Sequence, residues 1–179
     1  MGKILIKLFK EATDIFFVVE LQNILNGVAE RNLCGRLAIH LTNKLNEHGI
    51  TGYYADPEYN RKQDGKVKTI LDDEMEVVPI QCDLIVHSRG NNIKQDNLIA
   101  IEMKKSNRPE AERKSDRKRL RALTKDSYDN IWSYDGIAHP EHVCGYLYGI
   151  YMILDIRART CLFEYYQKGN KVGERTECF

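Results

Sequence analysis

Two short apolar runs, Ile80-Gln81-Cys82-Asp83-Leu84-Ile85-Val86-His87 and Leu98-Ile99-Ala100-Ile101-Glu102-Met103-Lys104, each carry a carboxylate where a strand would bury it. Charged side chains are rarely buried unless they are paired or bind a metal. Side chains alternate across a strand, so Glu102 and Lys104 share a face with Leu98 and Ala100, and Asp83 shares one with Ile85 and His87. The connector 88–97 is polar and contains Gly90-Asn91-Asn92, a turn signal. A symmetric hairpin then sets His87 opposite Leu98, Ile85 opposite Ala100 and Asp83 opposite Glu102. Opposed side chains in an antiparallel pair have β-carbons about 5 Å apart, where like charges repel. Two such carboxylates beside a lysine are costly as structure and suit a divalent cation, which prefers hard oxygen ligands.

The chain has 179 residues, enough for one domain with its own core, and no low-complexity tract or internal repeat divides it. Its net charge of +1 gives no overall signature of a nucleic-acid binder. The charge is uneven, however: residues 104–125 hold ten Lys or Arg against three acids, which makes that stretch locally basic. Five cysteines, an odd number with no CxxC, fit small buried hydrophobes in a reducing, cytoplasmic setting and do not suggest a disulfide frame or zinc site. The opening residues 1–10 are broken by Lys3, Lys7 and Lys10 and do not read as a signal peptide. No run approaches the roughly 20 apolar residues of a membrane span.

Apolar spacing predicts a helix over 12–25, a break at Gly27, and a second helix over 28–47. The second carries the stripe Leu33, Cys34, Leu37, Ala38, Leu41 and Leu45, with Glu30 one turn ahead on its inward side and Gly49 as a stop. Residues 53–61 read as a strand and 62–76 as a polar loop with room for a short strand. After the hairpin, 110–125 reads as a basic-faced helix and 127–142 as irregular. Two strands follow, over 144–154 and 160–167. The order is ααβββαββ, an α+β type of α/β fold. Its mixed sheet has about five strands flanked by helices, in one domain with an N-terminal helical extension over 1–27 and a core over 28–167.

Asp83, then eighteen residues, then Glu102-Met103-Lys104, within Gln81-Cys82-Asp83-Leu84-Ile85-Val86-His87 and Ile101-Glu102-Met103-Lys104-Lys105, resembles the active-site pattern of the PD-(D/E)XK nuclease superfamily. The helix bearing Glu30 matches an extra acid found in many members, and Asp56-Pro57-Glu58-Tyr59-Asn60-Arg61 is similar to a first-strand motif of small members. Cys82 stands where the pattern usually has proline. The resemblance implies a restriction-endonuclease-like core and a Mg²⁺-dependent phosphodiesterase acting on nucleic acid, DNA ahead of RNA and endonucleolytic ahead of exonucleolytic, with Mn²⁺ as a substitute ion. It implies that Asp83, Glu102 and the Met103 carbonyl hold the metal, that Glu30 holds a metal-bound water or second ion, and that Lys104 assists the attacking water. Glu58 would support these from behind; His87, on the same face as Asp83, would either do the same or serve as a partly buried structural histidine. Lys105, Arg117 and Arg121 would contact phosphates, and a homodimer with two such sites would suit a duplex.

Plainer readings stand beside these. Asp83 would also serve as a strand-end acid satisfied by backbone donors, and Glu102 with Lys104 as an exposed charge ladder on a solvated face. Glu30 would serve as a first-turn acid favoured by the helix dipole. Glu58 would pair with Arg61, and the basic run would be a solvated helix face. Proline breaks the helix that would align His139 with His142, so 139–142 reads as loop. Tyr146, Tyr148, Tyr151, Tyr165 and Tyr166 fit strands and core edges. A catalytically inactive module that binds nucleic acid or a protein partner is the competing function.

Overall fold

The chain builds a mixed main sheet whose central strands are buried on both faces, with helices packed on either side. The structure is a computed structural model and describes residues 2–59, 69–71, 77–79, 82–128, 132–133 and 144–179. In chain order the elements are α1 (Gly2–Val19), α2 (Leu21–Leu25), α3 (Glu30–Glu47), β1 (Tyr54–Pro57), β2 (Thr69–Leu71), β3 (Val77–Pro79), β4 (Leu84–His87) and β5 (Asn97–Lys105). Then come α4 (Glu110–Thr124), β6 (Ser127–Tyr128), β7 (Trp132–Ser133), β8 (Tyr148–Asp155), β9 (Thr160–Gln167) and β10 (Asn170–Cys178). The main sheet has six strands in the order β1-β4-β5-β8-β9-β10, and β2-β3 and β6-β7 form small ladders. All neighbours in the main sheet are antiparallel except β5 and β8. A parallel pair needs a crossover, and α4 supplies it.

The two faces have different cores. One is a continuous apolar layer in which Leu84, Ile99, Ile101, Met103, Ile150, Met152 and Phe163 meet α1 and α3. The other lies under α4, where Ile85, Ala100, Tyr151 and Tyr166 meet Leu120 and Leu123. α1 buries Leu5, Leu8, Phe9, Ala12 and Phe16 at helical spacing. Its Phe9 meets the edge of Phe163 at 5.8 Å, and Phe17 stacks on Phe179 at 5.2 Å.

The structure alters four boundaries. The helix expected from residue 12 begins at Gly2, because Lys3, Lys7 and Lys10 fall on one side of the turn and Leu5, Leu8 and Phe9 on the other. Its break comes at Glu20, whose buried carboxylate accepts hydrogen bonds from Arg36 and Asn23, each at 2.6 Å; Gly27, at φ +69°, closes α2 instead. The hairpin register is as expected over Leu84↔Ile101 and Ile85↔Ala100, but a bulge pairs His87 with Asn97 and not with Leu98. The sheet has a strand more than the roughly five expected, because β10 returns along β9 from the turn at Gly169. The stop at Gly49 holds: it has φ +68°, and the Ile50 N–H reaches the Leu45 carbonyl at 2.9 Å. Among the described residues no helix is long and apolar enough to cross a membrane. Residues 139–142 and Arg61 lie outside the described residues.

Gly149 sets how closely α4 can approach the sheet. A β-carbon there would lie 3.1 Å from Thr124 Cγ2, 3.2 Å from Tyr166 Cβ and 3.3 Å from Leu120 Cβ. Gly149→Ala should therefore cost about 1–3 kcal/mol through overpacking, read as a lower urea midpoint at unchanged slope.

Candidate active site

β4 and β5 run side by side, and the bend at Asp83 just ahead of β4 falls beside Glu102 and Lys104 near the end of β5. The Glu58 N–H donates to the Asp83 carbonyl at 3.1 Å, which fixes the bend to the end of β1. The Asp83 carboxylate accepts the Met103 N–H at 2.9 Å and stands 3.7 Å from Lys104 Nζ. Asp83 thus has a backbone donor, as its plainer reading expects, and it also meets the lysine; a quarter of its side chain is exposed.

Glu102 is 0% exposed, which rules out a solvated ladder. Its Oε1 accepts a hydrogen bond from Arg119 on α4. Its Oε2 is buried with no hydrogen-bond partner. Burial, and then the Asp83 carboxylate, push the Glu102 carboxyl well above its usual range, against the pull of Arg119. Two other buried acids provide an internal comparison. Glu20 spends both oxygens on Arg36 and Asn23, and Glu164 spends both on Arg117, Tyr166 and Lys171. Among the described residues the other buried carboxylates are hydrogen-bonded, so the open oxygen of Glu102 stands out.

α4 completes the cluster. Asp116, one turn before Arg119, stands 3.2 Å from the same guanidinium nitrogen and 3.7 Å from Lys104 Nζ. Tyr151 on β8, opposite Glu102 in register, directs its hydroxyl to Asp116 at 3.5 Å. Burial would lower the Lys104 ammonium, but Asp83 and Asp116 outweigh it and raise it. Burial also raises Asp116, against Lys104 and Arg119. Signs therefore alternate through Asp83, Lys104, Asp116, Arg119 and Glu102. Asp116, Arg119 and Tyr151 were not anticipated from the sequence. The available signal was Asp116 at helical spacing from the buried Leu120 and Leu123, an acid on the inward stripe of a basic helix.

Other anticipated residues fall elsewhere. Glu30 sits on the α3 side of the sheet, where its carboxylate takes the Lys105 N–H and two N–H groups of Arg108, all at 3.0 Å. It is close enough to Lys104 for its charge to help raise the ammonium, as Lys104 helps lower the Glu30 carboxyl. Among the described residues no three His, Cys, Asp or Glu side chains are grouped to hold a metal ion. Glu58 pairs with Arg31 at 2.9 Å. His87 lies at the far end of β4, 3.0 Å from Asp56 and against the Tyr59 ring, because three residues of extended chain separate it from Asp83. Lys105 turns to the other face and donates to the Gly27 carbonyl at 2.7 Å. Arg117 is held by Glu164 and Glu110, while Arg121 is exposed near the Tyr166 ring. Tyr146, Tyr151 and Tyr166 are buried and form no exposed stacking platform. Cys82 fills the place expected for proline; its thiol reaches the Ile101 carbonyl at 3.1 Å, and burial raises it, as it does Cys34.

The Arg117–Glu164 pair carries a pH dependence. Burial alone would raise Glu164, but hydrogen bonds from Arg117, Tyr166 and Lys171 outweigh it and hold the carboxyl at about 2 against an ordinary 4.5. A depressed carboxyl contributes stability above its unfolded value and loses it as pH falls through the folded one. The advantage of the wild type over Glu164→Gln should be full above 4.5 and shrink as pH falls toward 2, in urea titrations across that window.

Comparison of the chain with protein-family models, with curated proteins and with solved structures gives no match in any of the three.

Proposed function

We propose that this chain is a metal-dependent nuclease of the PD-(D/E)XK type, hydrolysing phosphodiester bonds of DNA. The observation that carries the reading is the meeting of Asp83, Lys104 and a fully buried Glu102 with one unpartnered oxygen. The topology supports it: a helix, an antiparallel meander of β1, β4 and β5, and a crossover helix into the parallel β8, with the aspartate at the head of β4 and Glu-X-Lys on β5.

The donor set fits a small hard cation. Mg²⁺ takes one or two carboxylates and keeps several waters, and here Glu102 offers an oxygen with no donor while Asp83 opens to solvent. Asp83 and Glu102, with the Met103 carbonyl, would hold the ion. Bound there, Mg²⁺ or Mn²⁺ supplies charge for the scissile phosphate and acidifies a water. Lys104, kept charged by Asp83 and Asp116, orients the attacking water and faces the negative charge that grows on the phosphoryl oxygens. Glu30 keeps its place at the end of β5 through Arg108 and Lys105, as a brace for the strand that carries Lys104. The basic, exposed residues of α4 give a backbone-binding surface whose affinity falls with salt.

A second reading, a nuclease-like module that binds without cutting, draws on one observation: Arg119 already neutralises Glu102. A plasmid-nicking assay with Mg²⁺, Mn²⁺ or EDTA separates the two. We expect metal-dependent nicking that falls about a hundredfold or more in Asp83→Asn and Lys104→Ala, with unchanged circular dichroism. Normal cutting by both variants removes the assignment. DNA binding without cutting under any divalent ion selects the second reading.

A further inference from the structure

Arg119 donates to Oε1 of Glu102, beside the open Oε2 on which the metal reading places the ion. Glu102 is sealed from solvent, so its ionised form requires a counter-charge, and Arg119 is the cation that its carboxylate touches. A divalent ion on Asp83 and Glu102 would place two positive charges beside that guanidinium, and like charges in a partly dry site repel strongly. A guanidinium on Oε1 therefore weakens the hold of an ion on the neighbouring Oε2. Asp116 offers Arg119 a second partner: it lies one helical turn back on α4 and already meets the same nitrogen at 3.2 Å. The other contacts of Asp116 are looser, Lys104 at 3.7 Å and the Tyr151 hydroxyl at 3.5 Å, so it has capacity for a tighter one.

We propose that Arg119 is a built-in competitor of the catalytic cation, holding Glu102 in the metal-free protein and passing to Asp116 when a divalent ion binds. The inference rests on the metal-binding reading above. It makes Arg119 a positioning residue that sets the divalent-ion concentration at which the site loads, and Asp116 the residue that lets it move aside. Because the guanidinium already touches both carboxylates, the exchange needs a side-chain shift and no movement of α4.

The test is Mn²⁺ titration, by calorimetry and by loss of free-ion electron paramagnetic resonance signal, of wild type, Arg119→Met, Asp116→Asn and the double variant. Circular dichroism confirms folding, and Arg119→Gln replaces Arg119→Met if the methionine variant does not fold. Arg119→Met should bind Mn²⁺ about tenfold or more tightly than wild type, since a competing charge has gone. Asp116→Asn alone should weaken binding, because Arg119 then has only Glu102. The same change in the Arg119→Met background should alter nothing, which a cycle of the four proteins reads directly. Unchanged or weaker binding by Arg119→Met overturns the proposal, as does an Asp116→Asn effect of equal size in both backgrounds, which would make Asp116 a ligand. Wild type and Asp83→Asn alike failing to bind Mn²⁺ overturns the metal reading itself, and this proposal with it.

Discussion

A carboxylate in the middle of the sheet, Glu102, is the constraint on which the architecture around it depends. A buried ion pair is a poor source of stability, since two apolar residues of similar volume often serve as well or better. Retaining one therefore calls for a chemical reason and also imposes structural demands. Arg119 must come within reach of β5, so α4 has to lie close against the sheet, and Gly149 is the place where the absence of a side chain allows it. Once α4 is seated there, Asp116 falls over Lys104 and the Tyr151 hydroxyl has a partner. The cluster is the outcome of one close approach between a helix and a strand.

The two faces of the sheet divide the work. Under α1 and α3 the packing is apolar apart from Thr13, whose hydroxyl returns to the Phe9 and Lys10 carbonyls, and the acids at its margin, Glu20 and Glu30, are held by donors. Under α4 the packing includes tyrosines and charges, and one acid is left incomplete. Low dielectric amplifies both attraction and cost in such a place, so an unfinished hydrogen-bond set is tolerated only where something else gains from it. The buried thiols Cys34 and Cys82 flank the cluster as hydrophobes, held protonated by burial.

Much of this was legible because the informative residues broke a local rule. Asp83, Glu102 and Lys104 are charges inside apolar strands, and a short polar connector between them made their pairing inferable from period alone. The register holds from Leu84 to Val86 and fails at His87, where a bulge absorbed one residue, a feature that alternation cannot reveal; Asp83, set opposite Glu102 by the symmetric hairpin, lies in a bend ahead of the ladder. α3 was readable from its leucine stripe, and Glu30 from its place ahead of it, though not its engagement with Arg108. Arg119 and Asp116 were hidden because in a run of ten basic residues a single inward-facing pair carries no contrast. β10 was hidden for the opposite reason: an edge strand rich in Lys171, Glu174, Arg175 and Glu177 lacks the apolar run that marks a strand.

That edge also limits how the molecule can meet its own kind. An open strand invites another chain to add to it, and both ends of this sheet discourage it. β10 presents alternating charges and a bulge next to Gly173. At the other end β1 spans four residues and finishes at Pro57, which has no N–H to donate. Among the described residues, both edges of the main sheet thus carry features that discourage the addition of a further strand without closing it into a barrel.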